Sequence, residues 1–157
     1  MKNLLQLFVL VLMFSMVACS FEETTTVDGV EDISDQYTND PDEPNYTTDA
    51  EMQNLFDSGV SDEQVMIKGE VIKTLADDNE GSRHQKFIVK IASGQTILVS
   101  HNIDLAKRID DLSEGDQVKI YGEFEWNDRG GVVHWTHHDP DGKHVGGWVE
   151  HQSNFYD

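Results

Sequence analysis

Residues 112–126 read LSEGDQVKIYGEFEW, and this stretch indicates the fold class. After the turn-forming pair Gly115 and Asp116, apolar side chains such as Val118 and Ile120 alternate with polar ones. A period of two is typical of a strand with one buried and one solvated face. The stretch therefore predicts a half-buried β-strand that follows a tight turn.

Similar alternation recurs on both sides of this strand. The further predicted strands cover residues 65–71, 87–91, 96–100 and 132–137. Ser93-Gly94 predicts a hairpin turn between the second and third strands. A domain built from these strands is all-β, with room for one modest core.

Two short helices are also predicted. Asn102 can cap a helix that carries Leu105 and Ile109 between strands three and four. Met52 and Phe56 have helical spacing within residues 48–60, ahead of the first strand. The order of three strands, a helix and two strands resembles a five-stranded OB-fold barrel, with an SH3-like or other five-stranded barrel as the alternative.

The acidic residues are concentrated before the strands. The chain has 157 residues and a net charge of −19, and fourteen of its 30 acidic residues lie in residues 20–63, which contain no Lys or Arg. Low hydrophobicity with unopposed charge predicts a disordered tether. The negative charge argues against nucleic acid as a partner, and the single Cys excludes an internal disulfide.

The N-terminus predicts an envelope lipoprotein. One Lys and an apolar stretch precede Met16-Val17-Ala18-Cys19, which resembles a bacterial lipobox. The resemblance implies cleavage before Cys19 and its lipidation, so the protein's expected partner is a membrane. Ser20, in place of Asp, favours the outer membrane. The predicted segments are a signal peptide at 1–18, a lipidated tether at 19–62 and the OB-like domain at 63–157.

The histidines are the candidate metal ligands. On an extended fifth strand, Val133 and Trp135 fit the core side, so His134 and His138 share the outer face, where Asp139 can add an oxygen. Imidazole with carboxylate suits a transition metal such as Zn. Further candidate ligands are His84, His101 and His137. The alternative is that the His-Asp-Pro-Asp-Gly segment is a turn and that these histidines pack structurally.

Other chemistry has less support in the sequence. There is no G-x-S-x-G nucleophile motif. Glu123 and Glu125 share one strand face with Lys119, which indicates a solvated surface. Tyr121 and Trp135 are candidate stacking surfaces for a ligand.

Three stretches resemble a known family. Residues 83–87 (RHQKF), 101–106 (HNIDLA) and 122–140 (GEFEWNDRGGVVHWTHHDP) are similar to small exported bacterial proteins with a domain of unknown function. The similarity extends from residue 65 to the C-terminus. It implies an exported bacterial domain and brings no activity.

These observations predict a non-enzymatic envelope lipoprotein whose His-rich rim binds a metal or small ligand. One alternative is a metal-dependent hydrolase, a nuclease or phosphodiesterase, that uses the cluster from His134 to Asp139. The other is a module that binds oligonucleotides or a protein partner.

Overall fold

The computed structural model describes residues 45–157, so the lipobox, Cys19 and the tether up to residue 44 lie outside the described residues. The described chain forms one helix and seven strands. These are α1 (Asp49–Ser58), β1 (Glu63–Thr74), β2 (His84–Lys90), β3 (Thr96–Asn102), β4 (Gln117–Glu125), β5 (Val132–His134), β6 (Trp148–His151) and β7 (Asn154–Tyr156).

Five strands close into a barrel. The order is β1-β2-β3-β5-β4, and β4 pairs back on β1 to complete the circle. All of these neighbours are antiparallel except β3 and β5, which run parallel. The prediction of an all-β domain with a small five-stranded barrel is confirmed. The sheet continues beyond β4 into β6 and β7, which were not predicted.

The alternating side chains form the barrel interior. On β4, Val118, Ile120, Gly122 and Phe124 are buried, while the residues that alternate with them are partly exposed. The other strands contribute their own inward positions, which are Val65, Ile67, Val71, Phe87, Val89, Ile97, Val99, Val133 and Val149. Removing these apolar side chains from water is the main favourable contribution to folding.

The predicted early helix is confirmed as α1. Thr48 and Glu51 form a reciprocal capping box, and Gly59 ends the helix in the left-handed conformation. Met52 is fully buried in the core, and the Trp126 indole donates to the Phe56 carbonyl at 2.9 Å. Within residues 45–157, no helix combines the length and the hydrophobicity needed to cross a membrane.

The predicted helix between strands three and four is wrong. Residues 103–116 form turns, with one helical hydrogen bond from Ala106 N to Asn102 O. The Gln85 side chain bonds both the N–H and the C=O of Ile109, at 2.8 and 2.9 Å. Because the Gln85 side chain occupies the N–H and C=O of Ile109, these backbone groups are not available for the hydrogen bonds of an α-helix.

The fifth strand is shorter than the predicted 132–137 because β4 changes partner. β4 pairs with β6 up to Tyr121 and with β5 from Glu123 onward. At Gly147, just before β6, a Cβ would collide with the carbonyl oxygens of Tyr121 and Trp135. The chain therefore leaves the sheet after His134, and Trp135 adopts a positive φ of 52°.

Replacing Gln85 with Leu tests the role of this side chain. We expect the free energy of unfolding to fall by about 2–4 kcal/mol, because the buried N–H and C=O of Ile109 lose their partners. Urea denaturation of the purified chain measures the change. Gln117→Leu, at an exposed position of β4, is the control and should change stability by less than about 0.5 kcal/mol. Equal effects of the two substitutions would contradict this role.

Candidate metal centre

The outer faces of β4 and β5 bring one imidazole to two carboxylates. Glu123 is directly opposite His134 in the antiparallel register, and Glu125 lies two residues further along the same face. The His134 Nε2 lies 3.3 Å from Glu123 Oε1 and 3.9 Å from Glu125 Oε1. One ligand atom from each side chain lies within 4.8 Å of the others. Within residues 45–157, these three side chains form the one group of three or more potential metal ligands whose ligand atoms lie that close together.

The His134 Nε2 atom is buried and forms no hydrogen bond. Most buried polar atoms in proteins have a partner, because an unpaired polar group is costly to remove from water. The imidazole as a whole is about one-third exposed, with a side-chain relative exposure of 35%. Its Nε2 is thus withdrawn from solvent at the point where the two carboxylates approach it.

His144 adds a second imidazole on the other side of Glu123. Its Nε2 donates to Glu123 Oε2 at 2.8 Å, and its Nδ1 donates to the Val145 carbonyl at 2.7 Å. Partial burial lowers the pKa of His144, but the hydrogen bonds to Glu123 and Val145 outweigh it, and the pKa is raised above its ordinary value. The ring stacks on Trp135 at 4.0 Å between centroids and 9° between planes.

Asp139 organises the loop that carries His144. Its carboxylate accepts the backbone N–H groups of Asp141, Lys143 and His144 at 3.0, 2.6 and 2.7 Å. The hydrogen bond from the His144 N–H has the largest effect, and together these bonds lower the pKa of Asp139. Asp139 therefore shapes the loop, as the turn interpretation of this segment expected.

Within residues 45–157, the close group of potential ligand atoms contains His134 but neither His138 nor Asp139, which were predicted to join it. The expectation assumed that the strand stays extended, whereas it ends at His134 and the positive φ of Trp135 redirects the chain. His138 is exposed, and Asp139 is occupied by backbone amides. For the same reason Trp135 leaves the core side, where Val133 stays.

The other candidate histidines have separate places. His101 is fully buried inside the barrel, with Nδ1 accepting from the Thr136 hydroxyl at 2.9 Å and Nε2 donating to the Lys107 carbonyl at 3.1 Å. His84 and His137 line a cavity of about 240 Å³ that His134 also borders. The structure thus brings three of the predicted histidines to one cavity.

The two candidate stacking residues lie apart. Trp135 lines that cavity. Tyr121 instead lies beside Trp148, with 6.1 Å between ring centroids.

Sequence reasoning missed Glu123 and Glu125 as partners of His134. One signal was available, because a hairpin closed by the turn at 127–131 places residue 123 opposite residue 134. No sequence pattern predicts the contact between His144 and Glu123, because it depends on the path of the loop that carries His144.

The fold and the site define a small β-barrel domain with an imidazole–carboxylate cluster on its outer face. The chain belongs to the family described as "Protein of unknown function (DUF3465)", whose model matches residues 38–157. The family resemblance noted from the sequence is thereby confirmed. A search of curated proteins gave no match.

The burial of His101 predicts a pH dependence of stability. Desolvation lowers the pKa of His101 from its ordinary 6.5, against the opposing hydrogen bond to Lys107. Below about pH 6.5 the unfolded chain binds a proton at this residue that the folded chain excludes, so the contribution of His101 to the free energy of unfolding decreases as the pH falls. Urea denaturation between about pH 7.5 and about pH 5 measures this decrease.

In His101→Gln the decrease should be smaller, while the exposed His138→Gln control should keep the wild-type slope. Parallel curves for wild type and His101→Gln would contradict the assignment.

Proposed function

We propose that this protein is a bacterial envelope lipoprotein whose barrel binds a divalent transition metal through Glu123, Glu125 and His134. The observation that carries the metal site is the buried, unbonded Nε2 of His134 between two carboxylates. The lipid anchor rests on the lipobox at Cys19. Residues 19–44, rich in acidic side chains, would connect the anchor to the domain that begins ahead of α1.

The spacing of the cluster supports a tetrahedral ion. Ligands at about 2.1 Å from Zn²⁺ lie roughly 3.4 Å from one another. The separation of 3.3 Å between His134 Nε2 and Glu123 Oε1 already fits, and the 3.9 Å to Glu125 Oε1 needs only a small side-chain adjustment. His144 holds the other oxygen of Glu123, which orients the carboxylate as outer hydrogen bonds do at metal sites.

The barrel is proposed to be of the OB type. The order β1-β2-β3-β5-β4 with a parallel β3–β5 pair supports a five-stranded Greek-key barrel. The helix α1 precedes β1, and its Met52 side chain is buried in the core. Fold alone carries no argument for oligonucleotide binding, and the acidic cluster opposes it.

A metal-dependent hydrolase is the second candidate. One observation favours it, namely that His134 borders a cavity whose lining includes His84 and His137. If the protein is such a hydrolase, Asp139 organises the loop and takes no part in the chemistry, because three backbone amides occupy its carboxylate. Hydrolysis of model phosphodiesters by the metal-loaded chain, lost in His134→Gln, would support this candidate.

Calorimetric titration of the metal-free, detergent-solubilised full chain with Zn²⁺ tests the metal site. We expect a dissociation constant of about 1 µM or below, and about tenfold weaker binding in each of Glu123→Gln, Glu125→Gln and His134→Gln. His138→Gln is the matched control and should bind like wild type. Binding weaker than about 10 µM by the wild-type chain, or an equal loss in His138→Gln, would contradict the proposed ligands.

Substitution of Cys19 by Ala tests the anchor. The wild-type chain should fractionate with outer membranes, and Cys19→Ala should be lost from that fraction, because the acyl chains are the proposed attachment. Ser20→Ala is the neighbouring control and should stay membrane-bound. Unchanged membrane fractionation of Cys19→Ala would exclude lipid attachment at this residue.

A further inference from the structure

His151 ends β6 and occupies one of its buried positions. The buried residues of β6 are Val149 and His151, and the His151 side chain is 1% exposed. β6 turns into β7 at Gln152 and Ser153, whose φ values are 50° and 63°. Positive φ at both central residues is typical of a type I′ hairpin turn. This turn and the pairing of His151 with Val118 of β4 fix the backbone that carries the imidazole.

A carboxylate holds one nitrogen of this ring. The His151 Nε2 lies 2.9 Å from Asp116 Oδ2, and the same oxygen accepts the Ser113 N–H at 2.8 Å. The hydrogen bonds from Ser113 and from His151 lower the pKa of Asp116, which keeps its carboxylate ionised. Because an ionised carboxylate only accepts hydrogen bonds, the His151 Nε2 carries a proton.

The other nitrogen of the ring has no hydrogen-bond partner. The His151 Nδ1 is buried and unbonded, although Asp111 Oδ1 lies 3.6 Å away. That separation is beyond the length of a hydrogen bond. In the neutral ring, the proton on Nε2 leaves Nδ1 with a lone pair and no donor to meet it. A buried polar atom in this condition calls for an explanation, such as a bound ion.

Asp111 has an oxygen available for an ion. Within residues 45–157, the contact with His151 is the one ion pair that the Asp111 carboxylate makes. The neighbouring Asp110 instead accepts from the Arg108 guanidinium at 3.2 Å. The Asp111 side chain is 61% exposed, so an ion can approach its carboxylate from solvent.

This arrangement matches the surroundings of a metal-binding histidine. A histidine that binds a metal through one ring nitrogen usually donates its other N–H to a carboxylate, which fixes the tautomer. Asp116 has this outer position, and His151 Nδ1 and Asp111 Oδ1 are the two potential ligand atoms. Two ligands at about 2.1 Å from a tetrahedral ion lie roughly 3.4 Å apart. The observed 3.6 Å is close to this separation.

These atoms are separate from the site proposed at His134. His151 pairs with Val118, whereas His134 pairs with Glu123, which lies five residues further along β4. Five residues of a strand span about 17 Å, too far for one ion to join both places. Val118 and Glu123 also belong to opposite faces of β4, the first buried and the second partly exposed.

We propose that His151 Nδ1 and Asp111 Oδ1 bind a divalent transition ion such as Zn²⁺, with water completing its coordination. Imidazole with carboxylate suits such an ion. The ion joins the turn at residues 110–111 to the end of β6, and so holds the connection between β3 and β4 against the sheet. This second site goes beyond the proposed function, because it uses none of the residues of the first.

Nitrogen-15 NMR of the imidazoles in the detergent-solubilised full chain tests the ligand atom. At about pH 7.5, where histidine is ordinarily neutral, metal-free His151 should carry its proton on Nε2 and none on Nδ1. Added Zn²⁺ should shift the Nδ1 resonance and leave the proton on Nε2. A proton on Nδ1 in the metal-free chain, or an Nδ1 resonance unchanged by Zn²⁺, would overturn the inference.

Calorimetric titration of the Glu123→Gln/His134→Gln chain with Zn²⁺ isolates the second site. One ion should still bind, with a dissociation constant below about 100 µM. Adding Asp111→Asn should weaken this binding at least about tenfold, and the exposed position of Asp111 makes loss of the fold no concern. Asp110→Asn, in the same turn, is the matched control and should leave the affinity unchanged.

The outcomes separate the two metal sites. Loss of all Zn²⁺ binding in the Glu123→Gln/His134→Gln chain would overturn the second site and leave the first standing. Equal affinities of the Asp111→Asn and Asp110→Asn chains would assign the ion to other carboxylates and would also overturn it. Wild-type binding that is weakened by Asp111→Asn and unaffected by His134→Gln would support the second site and contradict the first.

Discussion

Two strands share one edge of β4, and this sharing governs the path of the chain after His134. One edge of β4 pairs with β1 from Gln117 to Phe124, while the other edge is divided between β6 and β5. The division falls at Gly122, where a Cβ would collide with the His134 carbonyl and approach Thr136 Cγ2 to 2.9 Å. Close backbone approach of this kind requires glycine.

The candidate site follows from that division. Because β6 occupies the first half of the edge, β5 is short and the chain leaves the sheet immediately after His134. The excursion returns at Gly147, whose N–H donates to the His137 carbonyl at 3.0 Å. Along this path Asp139 shapes the loop and His144 reaches Glu123. The packing that completes the barrel also assembles the imidazoles and carboxylates.

The parts of the fold that depend on local pattern could be predicted. Alternation identified all five barrel strands, and helical spacing around Met52 identified α1. The helix after Asn102 failed because Gln85, distant in sequence, takes the backbone groups of Ile109. The cluster was half predicted, since His134 was named while its partners Glu123 and Glu125 were interpreted as a solvated surface.

The sequence alone was sufficient to predict the all-β class, the position of α1, the family resemblance and His134 as a candidate ligand. Each of these depends on periodicity, composition or a contiguous motif, which a linear chain displays directly. Only the tertiary structure decided which carboxylates meet His134, where β5 ends and how His144 reaches Glu123. The reason is that β6 competes for the same edge of β4, and hydrogen-bond competition between distant segments leaves no local pattern.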